Sequence, residues 1–137
     1  MANNKKIPVT DWIKSYGLLN PKKPALIDLS TNSTLSFDSL DKRVDTLSNY
    51  LVSNGVNKGD RIAFLCFNSS VIIEIIFACW RIGAICLPIN YRLTASEVLY
   101  IVSDAEPKVV FVDREFNYLW NEVLKDFDEN QLKTISF

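Results

Sequence analysis

The chain has 137 residues, 48% hydrophobic and 23% charged, with a formal net charge of -1 and no histidine. This is the composition of an ordinary globular domain, long enough to bury a core. Near-neutral charge without a basic block excludes an electrostatic footprint for nucleic acid or for a membrane surface, and the missing imidazole excludes a complete Ser-His-Asp or Cys-His site within these residues.

No histidine also means that the commonest transition-metal ligand is missing. Cys66, Cys79 and Cys86 are too irregularly spaced for a zinc site. They sit in apolar sequence and read as small buried hydrophobes, not reactive thiols. Their odd number and the lack of a signal-peptide pattern predict the reducing cytoplasm.

In chain order, residues 1–23 read as an N-terminal arm with a short helix around 10–16, and residues 24–137 as an α/β segment. Residues 25–29 and 33–37 flank a polar Ser30-Thr31-Asn32 turn, which predicts a β-hairpin. A helix begins near Ser36 or Asp38, either of which can cap it. Leu40, Val44, Leu47 and Leu51 recur at offsets of four, three and four and make one apolar stripe, with Gly55 placed to end the helix. Lys58-Gly59-Asp60 turns the chain into a buried strand over 61–67. Asn68 or Ser69 then opens a second helix, apolar nearly all round and therefore buried.

Residues 80–93 are the most informative stretch. Gly83 suits a left-handed helix end, an apolar strand follows, and Pro88 predicts that pairing finishes there because it has no amide to donate. Thr94 and Glu97 have the spacing of a capping box, and Val98, Ile101 and Val102 give the next helix a narrow core face. Pro107 precedes a buried strand over 108–113. An amphipathic helix over 115–127 turns Phe116, Leu119, Trp120, Val123 and Leu124 inward, and residues 132–137 read as a further strand. Alternating strands and helices predict a mainly parallel, helix-covered sheet. The apolar run 71–89 is broken by Glu74, Arg81, Gly83 and Pro88, which argues against a transmembrane span.

Few residues present themselves as chemistry. The segment 55–60 has three residues between its glycines and Asp after the second, so it lacks the spacing and the Lys-Ser/Thr of a phosphate loop. The acidic segment 126–130 is followed by Gln131 where a calcium loop needs glycine, and by Phe137 where it needs glutamate. Glu74 and Arg81, seven apart on a buried helix, predict a mutual or tertiary ion pair in preference to a catalytic role. Arg92 and Arg114 each follow a predicted buried strand, where open α/β sheets collect ligand-binding groups. A surface arginine in a loop is the plainer reading of both.

Taken together, several segments resemble the adenylate-forming (AMP-dependent) acyl-CoA synthetases, or acid–CoA ligases. Leu35-Ser36-Phe37-Asp38-Ser39-Leu40 is similar to their first core motif, with Ser39 where glutamate is usual. Gly59-Asp60-Arg61-Ile62-Ala63 with Asn68-Ser69 resembles the strand and turn that follow. Residues 81–84 and 87–90 resemble the second core motif, and Asn90-Tyr91-Arg92-Leu93-Thr94 with Glu97 is closer to the acyl-CoA synthetase branch than to the peptide-synthetase branch. The resemblance runs from about Pro24 to Asp113.

The resemblance implies an N-terminal β-hairpin followed by an incomplete part of the family's large N-terminal α/β domain. It implies that the full-length enzyme joins a carboxylic acid to ATP with magnesium and then passes the acyl group to CoA. The family's Ser/Thr/Gly-rich, Lys-ended loop, its nucleotide contacts, its magnesium-binding glutamate and its C-terminal domain lie downstream of the matched region. No catalytic or metal-binding residue is therefore carried over, and the chain alone is expected to bind no ATP, magnesium or CoA and to be inactive. Arg114 is the one candidate contact, to the nucleotide of CoA. The terminal Ile135-Ser136-Phe137 has no turn or polar cap after it, so the sheet is expected to leave apolar surface open. The expected partner is the remainder of the ligase, a complementary chain or a second copy. A non-catalytic binding or assembly module, or a subunit of a split ligase, is the alternative reading. The acid itself is not readable from these residues.

Overall fold

Strands apolar on both faces need helices on both sides, and the computed structural model supplies them. It describes residues 11–29, 31–127 and 132–137. The loose start, Thr10, Ser30 of the hairpin turn and residues 128–131 of the rejected calcium loop lie outside the described residues. In order come α1 (Trp12–Leu19), β1 (Pro24–Asp28), β2 (Ser33–Ser36), α2 (Phe37–Ser53), β3 (Arg61–Leu65), α3 (Ser70–Ile82), β4 (Ile85–Ile89), α4 (Ala95–Ala105), β5 (Val109–Val112), α5 (Asn117–Leu124) and β6 (Lys133–Ser136).

Local chemistry explains most of these boundaries. Asp11 caps α1 by accepting the Lys14 amide at 2.9 Å, and the helix runs three residues beyond the expected Tyr16. The hairpin pairs β1 antiparallel with β2. Ser36 caps α2 by accepting the Ser39 amide at 3.2 Å, and Leu40, Val44 and Leu51 of the stripe are fully buried. Thr94 and Glu97 form the reciprocal capping box on α4. Gly83 ends α3 at φ +72°, where a β-carbon would also stand 2.9 Å from Lys58 Cγ. The expected helix over 115–127 is shorter: a 3-10 turn over Arg114–Phe116 leads into α5, which stops at Leu124.

The described sheet is parallel throughout, in the order β4-β3-β5-β6. Ile62, Phe64, Val109 and Phe111 project to one face and pack with the core residues of α2 and α3. Ala63, Leu65, Val110 and Val112 project to the other face and pack with those of α4 and α5. Strict alternation of side chains divides one apolar run between two cores. Both the α/β class and the mainly parallel order match the sequence expectation.

One expectation fails at β4. Pro88 does not stop the strand: it pairs in register with Phe64, and Ile89 beyond it pairs with Leu65. The reason is position. Among the described residues β4 pairs only with β3, and an edge strand can turn a missing amide toward solvent without losing a ladder bond. The strand is also more exposed than expected, with Ile85 half in solvent. The predicted strand over 61–67 ends at Leu65, so Cys66 and Phe67 belong to the loop that follows it.

The buried charges are satisfied by partners distant in sequence. Glu74 accepts from Arg43 Nε at 2.8 Å, so its pair is tertiary and is not with Arg81. The Arg81 side chain, only 9% exposed, reaches Asp11 at 2.6 Å, Asp45 at 2.6 Å and Asp41. It also donates to the Asp41 carbonyl at 3.1 Å. One guanidinium thus joins the start of α1 to α2 and α3.

Candidate functional site

In an open parallel sheet, ligands gather beyond the carboxyl ends of the strands, where the connections diverge to opposite faces. Here the β3-to-β4 connection runs through α3 on one face, and the β5-to-β6 connection runs the opposite way through α5 on the other. The switch point therefore lies between β3 and β5. Three loops converge there: residues 66–69 after β3, residues 90–94 after β4, and residues 113–116 after β5.

Aromatic rings occupy this edge. Phe67 meets Tyr91 with centroids 4.9 Å apart and Phe116 at 4.7 Å, while Tyr91 and Phe116 are 5.6 Å apart. Tilted and edge-on ring contacts of this kind add about 0.5–1.5 kcal/mol each beyond simple burial. Phe116 is buried, whereas Phe67 keeps a substantial exposed face. The sequence treated Phe116 only as core and did not single out Phe67. Phe67 and Tyr91 each lie two residues past the paired Leu65 and Ile89, a correspondence that only the strand register reveals.

Polar groups at this edge mostly hold backbone. The Asp113 amide donates to the Leu65 carbonyl at 3.0 Å, and its carboxylate accepts the Glu115 amide at 3.1 Å. Asn90 Oδ1 accepts the Arg92 amide at 3.0 Å. Burial, with the charge of Asp113 nearby, pushes the Cys66 thiol up to about 11. At neutral pH such a group stays a thiol and is a poor nucleophile. Cys79 is raised as well, by its hydrogen bond with Cys86 and by burial. Ser69 opens α3 without a side-chain cap bond, and its buried hydroxyl has no partner among the described residues.

Arg92 and Arg114 both lie at this edge and both are exposed. The Arg92 guanidinium sits 5.6 Å from the Tyr91 ring centroid, a cation–π distance. Arg114 begins the 3-10 turn and donates its amide to the Phe137 carbonyl at 3.1 Å, which ties the β5 loop to the end of β6. Glu74 and Arg81 lie away from this edge, in the ion pairs described above. Among the described residues no group of three His, Cys, Asp or Glu side chains could hold a metal ion. Among the same residues, no helix is long and apolar enough to cross a membrane.

The architecture is thus a hairpin beside a four-stranded parallel sheet with a helix-covered core on each face. Residues 18–136 match the family model for the AMP-binding enzymes, and the chain belongs to that family. Among its relatives are YdaB of Bacillus subtilis (strain 168), assigned by name to the acyl–CoA ligases, and indoleacetate–CoA ligase of Aromatoleum aromaticum. YdaB is 35% identical over 97 residues, 71% of this chain and 19% of the relative. The Aromatoleum enzyme is 32% identical over 108 residues, 79% of this chain and 21% of its own length. The fatty acyl CoA synthetase of Mycobacterium tuberculosis superposes with a TM-score of 0.85 at 25% identity, covering 91% of this chain and 25% of that one. The chain thus spans about a fifth of the length of the curated relatives it matches. The superposition agrees with the fold expected from the sequence.

Proposed function

We propose that this chain supplies the N-terminal scaffold of an AMP-forming acyl-CoA ligase and is inactive by itself. In the complete enzyme a carboxylic acid, ATP and CoA give acyl-CoA, AMP and pyrophosphate. The match to the AMP-binding enzymes over residues 18–136 carries the reading. A solved protein of the same fold, the o-succinylbenzoate CoA synthetase of Bacillus subtilis at 24% identity, is a complex with ATP and magnesium ion. The sequence carries no glycine-rich phosphate loop and the described residues hold no metal ligand set, which supports the reading that adenylation draws on groups supplied from elsewhere.

The contribution of these residues is positional. The Phe67–Tyr91–Phe116 cluster fills the switch point and locks the three loops in one arrangement. Arg114 stands exposed beside it and is proposed to meet the nucleotide phosphates of CoA, as an arginine can do with paired donors. Free cysteines and the lack of an apolar spanning helix among the described residues are compatible with a cytoplasmic enzyme.

The direct test is acid-dependent ATP–pyrophosphate exchange by purified residues 1–137, over a panel of aliphatic and aromatic acids. No exchange above a buffer blank is expected. Robust turnover by the chain alone overturns the reading.

A further inference from the structure

The turn at Gly83 folds the end of α3 back onto the sheet. The Ala84 amide donates to the Cys79 carbonyl at 2.9 Å, and β4 begins at Ile85, the next residue. Helix tail and strand therefore lie against each other, and each carries a cysteine. Cys86 pairs in register with Ile62, and both project to the face that α2 and α3 cover. Cys79 belongs to the same core, fully buried on the covering side of α3.

The two sulfurs meet. Helical side chains lean toward the helix N-terminus, so Cys79 lies over the turn that precedes it. Cys86 reaches that turn from the sheet, where its Sγ donates to the Ile76 carbonyl at 3.9 Å. The Cys79 thiol is in turn hydrogen-bonded with Cys86.

Their surroundings divide the roles. Cys86 is partly exposed, whereas Cys79 is shut in the core. The hydrogen bond from Cys79 holds the Cys86 thiol below its usual value, against the opposing effect of burial. The same bond, together with burial, raises Cys79. The proton of the pair thus stays on the buried sulfur, and thiolate character falls on the one a reagent can reach. Access and thiolate character are what make a cysteine susceptible to oxidation. Cys66 has neither. It is buried beyond the carboxyl end of β3, away from Ile62 and Cys86 at the other end, and its thiol is pushed up to about 11.

We propose that Cys79 and Cys86 are a redox pair that hydrogen peroxide closes to a reversible disulfide, with Cys86 attacked first and Cys79 resolving. The Cys86 thiolate attacks the peroxide, so that an S–O bond forms, the O–O bond breaks and hydroxide leaves, taking up a proton to become water. Cys86 is then a sulfenic acid. With its thiolate gone, only burial still holds the proton on Cys79. The Cys79 sulfur attacks the Cys86 sulfur; the S–S bond forms, the S–O bond breaks, and the hydroxyl departs with the Cys79 proton as water. Two thiols and one peroxide give one disulfide and two waters, with two electrons passing from sulfur to oxygen. The bond pins the end of α3 to β4, the strand that leads to Tyr91 and Arg92. Oxidation is therefore felt at the edge where the three loops converge. Transient, redox-sensing disulfides are the kind that a reducing compartment permits. The pair stands independently of the ligase reading.

The test treats the reduced 137-residue chain with equimolar hydrogen peroxide near neutral pH, then unfolds, alkylates and digests it with trypsin for mass spectrometry. Trypsin cuts after Arg61, Arg81 and Arg92, so Cys79 and Cys86 fall in separate peptides, and fragmentation tells Cys79 from Cys66 in the first. Peptides 62–81 and 82–92 should be joined through Cys79 and Cys86, with Cys66 alone alkylated. Dithiothreitol should return all three thiols. Cys66 should be consumed at least about tenfold more slowly than the pair. Cys79→Ala removes the resolving thiol and should leave Cys86 as a sulfenic acid that dimedone traps. Cys86→Ser should leave Cys79 reduced at the same dose.

Three alkylated thiols after a dose that oxidises free glutathione overturn the proposal and leave the cysteines as packing groups. A link made through Cys66, a Cys86–Cys86 bond between two chains, or Cys86 driven to sulfinic acid beside a free Cys79 overturns it equally. If Cys79→Ala does not fold, the peptide map of the unaltered chain decides the question by itself.

Discussion

Replacing Arg81 by methionine removes the charge that holds α1, α2 and α3 together while keeping most of the side-chain volume. The guanidinium is 9% exposed and its partners Asp11, Asp41 and Asp45 are 12%, 20% and 49% exposed. Breaking a buried pair by removing one partner costs about 3–5 kcal/mol, chiefly because the other charge is left stranded. Asp45 is half in solvent and rehydrates with little penalty, so we expect about 2–3 kcal/mol at neutral pH. With a urea slope of about 1–3 kcal/mol/M for a small domain, the midpoint should fall by about 0.7–3 M. Tryptophan fluorescence is a suitable probe because Trp12 packs edge-on against Trp80, at 6.5 Å between centroids, beside this cluster. The double variant Arg81→Met with Asp11→Asn should recover part of the loss by removing one stranded carboxylate. By contrast, Lys42→Ala deletes a pair whose members are 73% and 45% exposed and should leave the midpoint almost unmoved. An Arg81→Met midpoint within about 0.3 M of the parent, a shift too small for a buried ion cluster, would refute the assignment.

Three further outcomes follow from the geometry. Burial alone would raise Asp11, but hydrogen bonds from Arg81 and the Lys14 amide outweigh it and hold the carboxyl below its usual value. Its contribution is therefore present above pH about 4 and lost as pH falls through the lowered value; an acid titration of Trp fluorescence that is identical in Asp11→Asn would contradict this. Gly83→Ala should cost about 1–2 kcal/mol from the left-handed backbone plus the push on Lys58, and Gly55→Ala, at φ +80° with nothing within 4 Å, only the backbone part; equal thermal melts of the two would show that the Lys58 contact is relieved freely. Cys66, pushed up to about 11 by burial, should react with a disulfide reagent at pH 8 much more slowly than a free thiol; labelling of Cys66 as fast as a model thiol would show that it is not shielded.

What the sequence revealed and what it hid divide along a physical line. The hairpin, the Leu40–Val44–Leu51 stripe, the Ser36 cap, the Thr94–Glu97 box and the Gly83 stop are local patterns, readable from a few neighbouring residues. Pro88 was misread because its tolerance depends on β4 being an edge strand, a property of strand order that no local pattern carries. The partner of Glu74 is Arg43 and those of Arg81 come from α1 and α2, contacts made only when three helices pack. The ring cluster gathers residues from three loops across two crossovers, so Phe67 carried no obvious mark. Arg114 is where the sequence placed it, past a buried strand, while its nearness to the end of β6 came only with the fold.

The most direct measurement of the central claim is acid-dependent ATP–pyrophosphate exchange by the chimera of residues 1–137 with the remainder of YdaB. A scaffold from this ligase family should restore exchange that is absent from the chain alone. A folded chimera that stays silent, beside a native YdaB that exchanges, would contradict it.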